Sequence, residues 1–208
     1  MDILICDDHK IVRDGLRQIL NQLPGNITIT DVSNGKDALD LLSYSIFDIV
    51  LMDISLPDKS GLEVLQLIKE NYPTTNVMIL SMHDQEQYTI RAIKHGASGY
   101  LTKDTDSGEL LDAVTRVAKG GSYFSHSLAE TMARHLDKNT HDQSHKALSI
   151  REFEILIKLA NGKSLLEIGA ELRISHKTVS TYRKRIMIKM EFTSNSEITK
   201  YCLENSLI

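Results

Sequence analysis

The 208-residue sequence predicts an α/β domain with a five-stranded, parallel, doubly wound sheet, followed by an all-α domain of four helices. Three observations predict it. Short apolar runs alternate five times with helical periodicity up to residue 120. From residue 146 onward only helical periodicity remains, opened repeatedly by Ser-x-x-Glu. The charge also changes sign: residues 1–120 carry 11 Lys+Arg against 18 Asp+Glu, a net −7, and residues 121–208 carry 13 against 10, a net +3. The expected divisions are 1–120, a linker with a short helix over 121–145, and 146–208. Two domains suit this length, since domains cluster near ~100–150 residues.

The elements follow in order. Ile3-Leu4-Ile5-Cys6 is a strand ending in Asp7-Asp8-His9. Val12, Leu16, Ile19, Leu20 and Leu23 recur at helical spacing, and Pro24-Gly25-Asn26 stops that helix. Ile27 to Val32 is a second strand and Lys36 to Leu42 a second helix. Ile49 to Met52 is an apolar run of the kind buried on both faces of a parallel sheet, and it ends at Asp53. Leu62, Leu65 and Ile68 mark a helix closed before Pro73. Val77 to Leu80 ends in Ser81, Gln85 to Lys94 is helical, and Gly99 to Thr102 ends in Lys103. Glu109 to Lys119 is the fifth helix, stopped by Gly120-Gly121.

Right-handed crossovers put every strand's carboxyl end on one edge. That edge gathers Asp7, Asp8, Asp53, Ser81 and Lys103. Singly, each reads as a cap, a turn or a surface charge; five at the ends of four strands read as a site. Three converging carboxylates need a cation, and a hard divalent ion such as Mg²⁺ suits oxygen donors. An Asp beside that ion can attack phosphorus, while Ser81 and Lys103 hold the phosphoryl oxygens.

These residues, with Pro57, Gly61 and Ala97-Ser98-Gly99-Tyr100-Leu101-Thr102-Lys103, resemble the flavodoxin-like receiver domain of bacterial response regulators over residues 1–120. The resemblance implies phosphorylation of Asp53 by a histidine kinase. It implies Mg²⁺ on Asp8, Asp53 and the backbone carbonyl of Ser55, with Asp7 supporting. It makes Ser81 and Tyr100 a switch pair, with Lys103 on the phosphate. Many receivers have Pro after this Lys; here Asp104 follows, and a non-proline cis bond costs about 3 kcal/mol.

Tyr123-Phe124 is expected to pack on a domain surface. Ser127-Leu128-Ala129-Glu130 is a capping box for a helix carrying Leu128, Met132 and Leu136. Asp137 to Lys146 reads as a flexible linker, with His141 and His145 as solvated residues of it. Beyond it, Ser149-Ile150-Arg151-Glu152 and Ser164-Leu165-Leu166-Glu167 open two helices, Ser175 caps His176 to about Met190, and Ser194-Asn195-Ser196-Glu197 caps a last helix. The middle pair reads as helix-turn-helix.

At about 100° per residue, Val179, Tyr182, Ile186 and Met190 share one side of the helix from His176. Lys177, Ser180, Thr181 and Lys184 lie opposite, flanked by Arg183, Arg185 and Lys189. Small residues permit close approach and cations reach bases or phosphates, so this face suits a major groove. Leu148 to Glu152, Gly162-Lys163-Ser164, Glu167-Ile168 and Ile174 to Arg183 resemble the LuxR-type helix-turn-helix of NarL/FixJ-family regulators. Ser180 and Tyr182 stand where that family often has Lys and His, and Glu191 where Gly usually ends the helix.

No run approaches the ~18 apolar residues of a membrane span. The start lacks a basic n-region, so a cytoplasmic protein without a membrane partner is expected, with Cys6 and Cys202 reduced in the core. The reading is a two-component response regulator, not a turnover enzyme beyond self-phosphorylation and self-dephosphorylation. Its expected partners are a sensor histidine kinase, double-stranded promoter DNA and, when phosphorylated, a second copy of itself. The rivals are a Mg²⁺-dependent Asp-nucleophile phosphatase, whose Asp-x-Asp spacing is missing from Asp7-Asp8-His9, and a protein-interaction module without promoter specificity.

Overall fold

The computed structural model describes residues 1–82, 86–124, 144–205 and 207–208. The chain forms two units, Met1–Asp137 and Lys138–Ile208. In the first, β1 (Asp2–Cys6), α1 (Lys10–Leu20), β2 (Thr28–Val32), α2 (Gly35–Leu42), β3 (Ile49–Asp53), α3 (Gly61–Asn71), β4 (Val77–Ser81), α4 (Glu86–Lys94), β5 (Gly99–Thr102) and α5 (Ser107–Ala118) alternate as the apolar pattern predicts. All neighbouring strands pair in parallel, in the order β2-β1-β3-β4-β5.

The central strands β3 and β4 are buried at every residue, as the unbroken apolar runs require. The outer strand β2 is half-exposed, and its Thr28, Thr30 and Asp31 show it. Ile3, Ile5, Ile49, Leu51, Met78 and Leu80 pack on Leu16 and Leu20 of α1 and on Leu110, Val114 and Val117 of α5. The strand order reverses between β1 and β3, and a crevice opens at the carboxyl ends of strands at such a switch point.

The start of α5 differs from the sequence expectation, and the segment after it adds a contact the sequence did not announce. Helix α5 starts two residues earlier, because Asp106 accepts from the Gly108 and Glu109 N–H groups and offsets the poor helix former Gly108. Tyr123 packs against the core of this domain, as expected, and it also bridges β5. Its N–H donates to Ser98 O and its carbonyl accepts from Tyr100 N–H, both at 3.0 Å, and the segment covers an otherwise open sheet edge. A Cβ on Gly99 would lie 2.9 Å from the Tyr123 carbonyl oxygen, so glycine admits this strand.

In the second unit, α6 (Ile150–Ala160), α7 (Leu165–Glu171), α8 (His176–Met190) and α9 (Asn195–Glu204) follow a 3-10 turn at Ser144–Ala147. Both capping boxes form, Ser149 with Glu152 and Ser164 with Glu167. The α7–α8 turn closes tightly because Gly169 is side-chain-free: a Cβ there would lie 2.8 Å from Ile174 O. Arg151 Nη1 donates to Glu154 at 2.7 Å and Nη2 to the Leu172 carbonyl at 3.2 Å, which ties α6 to the end of α7. Glu191 ends α8 in the left-handed region, φ 58°, as the missing family glycine foreshadows.

His145 corrects the sequence reading. It is buried, not solvated: its Nδ1 lies 2.8 Å from the Tyr201 hydroxyl, and its ring packs by Phe153 and Tyr201. The aromatic niche between α6 and α9 is assembled by packing that no local pattern announces. The expected helix from Ser127 and the residue His141 lie outside the described residues. Cys6 and Cys202 are buried free thiols.

Candidate functional site: an acidic pocket and a basic helix face

The pocket is assembled from strand ends. Asp7 follows β1, Asp53 closes β3, Ser81 closes β4, and Lys103 follows β5. Lys103 Nζ lies 2.6 Å from Asp7 Oδ2 and 3.0 Å from Asp53 Oδ1. Asp7 and Asp53 are only 2% and 4% exposed, so this is a buried ion triad. Ser81 is buried beside it, and its carbonyl accepts from the Lys103 N–H at 2.9 Å. Tyr100 is buried one strand position before Leu101. Among the described residues no peptide bond is cis, and that includes Lys103–Asp104.

Burial pushes the Asp53 carboxyl up to about 6, against the pull of Lys103 and with a further push from Asp7. Burial works against the Lys103 ammonium, but Asp53 and Asp7 outweigh it and hold its pKa above the usual lysine value. Backbone support is close: Arg13 Nη1 donates to Asp7 O at 2.7 Å, and the His9 N–H donates to Asp7 Oδ1 at 2.8 Å. Gly61 is the tightest backbone contact. A Cβ there would lie 1.8 Å from the Asp53 carbonyl oxygen, so α3 starts against the end of β3 only with glycine.

The donor set suits a hard cation. Asp7, Asp8, Asp53 and His9 offer ligand atoms that all lie within 4.8 Å of one another, and three of the four are carboxylates. His9, unassigned by the sequence reading, sets Nδ1 2.7 Å from Asp8 Oδ1. Nothing in the turn Asp8-His9 signals the direction of that ring. Ser55 faces Ser60 across an isolated bridge in the loop after Asp53.

The second surface lies on α8. Lys177, Ser180, Thr181, Lys184 and Arg185 are exposed, opposite buried Val179, Ile186 and Met190. Lys177, Thr178, Thr181, Tyr182 and Arg185 line a shallow depression of about 320 Å³, and the Arg185 guanidinium lies 5.8 Å from the Tyr182 ring centre. Two of the expected flanking cations also make contacts within their own domain while staying at the surface. Lys189 Nζ lies 2.6 Å from Glu152, the capping glutamate of α6, and Arg183 Nε donates to Asn195 at 2.8 Å. The helical wheel placed Lys189 at the rim but carried no record of α6.

The chain matches the response regulator receiver domain family over residues 3–115 and the luxR family of bacterial regulatory proteins over residues 146–202. Fold and pocket therefore define a response regulator, with a receiver domain ahead of a LuxR-type helix-turn-helix. Within that class the chain belongs to the NarL/FixJ family of transcriptional response regulators. It is 34% identical to the oxygen regulatory protein NreC of Staphylococcus haemolyticus, over all of this chain and 99% of that one. It is 33% identical to the transcriptional regulatory protein DegU of Brevibacillus brevis, over all of this chain and 95% of that one. The solved response regulator ChrA of a heme-sensing two-component system is 30% identical, with a TM-score of 0.52 over this whole chain and 98% of its own. RcsB of Salmonella enterica serovar Typhimurium, solved bound to a promoter, shares the fold at 23% identity and a TM-score of 0.58, over 97% of each chain. Among the described residues no helix is long and apolar enough to cross a membrane.

Proposed function

We propose that Asp53 accepts a phosphoryl group from a sensor histidine kinase in the cytoplasm. Phosphorylation then promotes a homodimer that binds promoter DNA through α8. The observation that supports this most is the buried Asp7–Lys103–Asp53 triad at the switch point of the sheet. Asp8, Asp53 and the Ser55 backbone carbonyl would hold Mg²⁺, with Asp7 supporting. Bound there, Mg²⁺ supplies positive charge that lets an anionic donor approach three carboxylates.

The chain's own residues do the rest. An Asp53 carboxylate oxygen forms the new bond to phosphorus as the bond to the donor atom breaks. Lys103 already contacts Asp53 and is placed to turn one hydrogen bond to a phosphoryl oxygen. Ser81 lies one residue beyond the β3–β4 pairing of Asp53 with Leu80, within reach of another such oxygen. Its movement toward the phosphate and the inward turn of Tyr100 form the switch. Because the product is a carboxyl phosphate held for signalling, self-phosphorylation from small donors and self-dephosphorylation are the only turnover assigned.

On α8, Ser180, Thr181 and Lys184 are assigned to base edges and Lys177 to base or phosphate. Arg185 is assigned to phosphate, with Arg183 beside it in its Asn195-bound position. Lys189 is reassigned from DNA to the Glu152 pair. One such face is weak alone, and two linked copies gain by effective concentration on paired half-sites. Footprinting on genomic fragments, with and without beryllofluoride and Mg²⁺, tests the whole reading. The expected result is paired protected half-sites that strengthen with beryllofluoride; a protein that protects no site in either condition overturns the DNA assignment.

A further inference from the structure

The loop that follows Asp53 is tied at its base and at its tip. At the base, the Gly61 N–H donates to the Ile54 carbonyl at 2.8 Å, and Ser55 faces Ser60 across the bridge. At the tip, Asp58 reaches to α2. Its Oδ1 accepts from the Gly35 N–H at 2.9 Å and its Oδ2 from the Lys36 N–H at 2.8 Å. These are the first two N–H groups of α2, which have no acceptor inside the helix. Asn34 takes the third, that of Asp37, at 2.9 Å. Burial alone would raise the Asp58 carboxyl, but the backbone donors of Gly35 and Lys36 outweigh it and hold the pKa below the usual aspartate value.

The approach depends on Gly35. A Cβ there would lie 2.4 Å from Val64 Cγ2 on α3, so the first turn of α2 comes this close only as glycine. The Asp58 contact spans 23 residues, and the helix start it caps is itself seated against α3 by glycine.

We infer that Asp58 is a positioning residue for the pocket: by anchoring the loop tip to the N-terminus of α2, it fixes the Ser55 carbonyl three residues back. The inference rests on the reading of the pocket as a Mg²⁺-dependent phosphoacceptor site. Mg²⁺ demands near-octahedral ligands at about 2.0–2.1 Å, so a loop carbonyl released from its anchor loses metal affinity. A cap that merely stabilised α2 would lower the melting temperature and leave that affinity untouched.

The test uses the full chain and two readouts: calorimetric titration with Mg²⁺ alone, and the rate of phosphorylation by acetyl phosphate against Mg²⁺ concentration. Asp58→Ala is expected to weaken Mg²⁺ binding about five- to twentyfold, in the low range for loss of a ligand's support, with the rate at saturating Mg²⁺ within about twofold of wild type. Asp58→Asn, which keeps one acceptor, should fall between about two- and fourfold. Gly35→Ala, whose Cβ would collide with Val64 and shift the helix start that Asp58 caps, should weaken Mg²⁺ binding in the same direction, with less than additive loss in the double variant. If Asp58→Ala does not fold, Asp58→Asn and Gly35→Ala carry the comparison. Wild-type Mg²⁺ affinity in folded variants overturns the inference and leaves the phosphoacceptor reading intact. A wild-type protein that neither binds Mg²⁺ nor gains phosphate overturns both.

Discussion

The acidic pocket and the basic face of α8 are built in opposite ways. The pocket draws on residues 7 to 103 and exists only once four strand ends meet. The basic face lies on one 15-residue helix and exists as soon as that helix forms. The difference sets their electrostatics. Burial in the pocket leaves each charge poorly screened, so Asp53 is pushed up to about 6 and a single cation decides the balance. Charges on α8 face water, where each contributes little, so the proposed DNA binding draws on several of them and on two copies. Deletions should therefore be near all-or-none in the pocket and graded on α8.

The largest effect is expected from Asp8→Ala. If Asp8 is the cation ligand proposed, its removal should abolish phosphorylation by acetyl phosphate, with no Mg²⁺-dependent rise in melting temperature. Ser81→Ala should still be phosphorylated at Asp53 yet fail to dimerise on sedimentation. Equal loss of phosphorylation in both variants would erase the distinction between ligand and reporter.

Graded effects follow on α8. Lys184→Ala should lose about 1–3 kcal/mol on the cognate site and little on random DNA. Arg185→Ala should weaken both and reduce the salt slope by about one unit. Lys189→Ala should leave that slope unchanged, because its ammonium is held by Glu152. Titrations on both DNAs at several salt concentrations measure all three. Equal weakening of cognate and random DNA by Lys184→Ala would rotate the reading face.

A pH test separates the two electrostatic regimes. Asp53 titrates near 3.8 unfolded and about 6 folded, so the folded state binds the extra proton between those values. In chelator, its contribution favours folding below about pH 4 and is lost as pH rises through 6. The stability of Asp53→Asn relative to the metal-free wild type should therefore be more favourable at pH 7 than at pH 4.5. Denaturant melts at both pH values measure it; a pH-independent difference would contradict the assigned burial effect.

The smallest effect belongs to the end of α8. Glu191 holds φ 58°, where a Cβ costs about 1–2 kcal/mol, so Glu191→Gly should stabilise by about 1 kcal/mol without changing DNA affinity. A destabilised variant in thermal melts would mean that Glu191 makes compensating contacts.

Legibility in the sequence followed the same divide. Period and strand-end position exposed Asp7, Asp53, Ser81 and Lys103, because an α/β alternation forces the carboxyl ends onto one edge. The α8 face could be read from helical period alone. What escaped was contact at long separation. Lys189 meets Glu152 across 37 residues, His145 meets Tyr201 across 56, and Asp58 meets α2 across 23. In each, the sequence shows an ordinary local role — rim charge, linker histidine, turn aspartate — and only packing supplies the partner. Glu191 was legible as an anomaly, because an expected glycine was missing there.

The most direct test of the pocket is intact and peptide mass spectrometry after incubation with acetyl phosphate. Wild type with Mg²⁺ should gain the mass of one phosphoryl group, located on the peptide that contains Asp53, and chelator or Asp53→Asn should remove the gain. An Asp53→Asn protein that gains the same mass at the same rate would contradict the assignment of Asp53 as the acceptor.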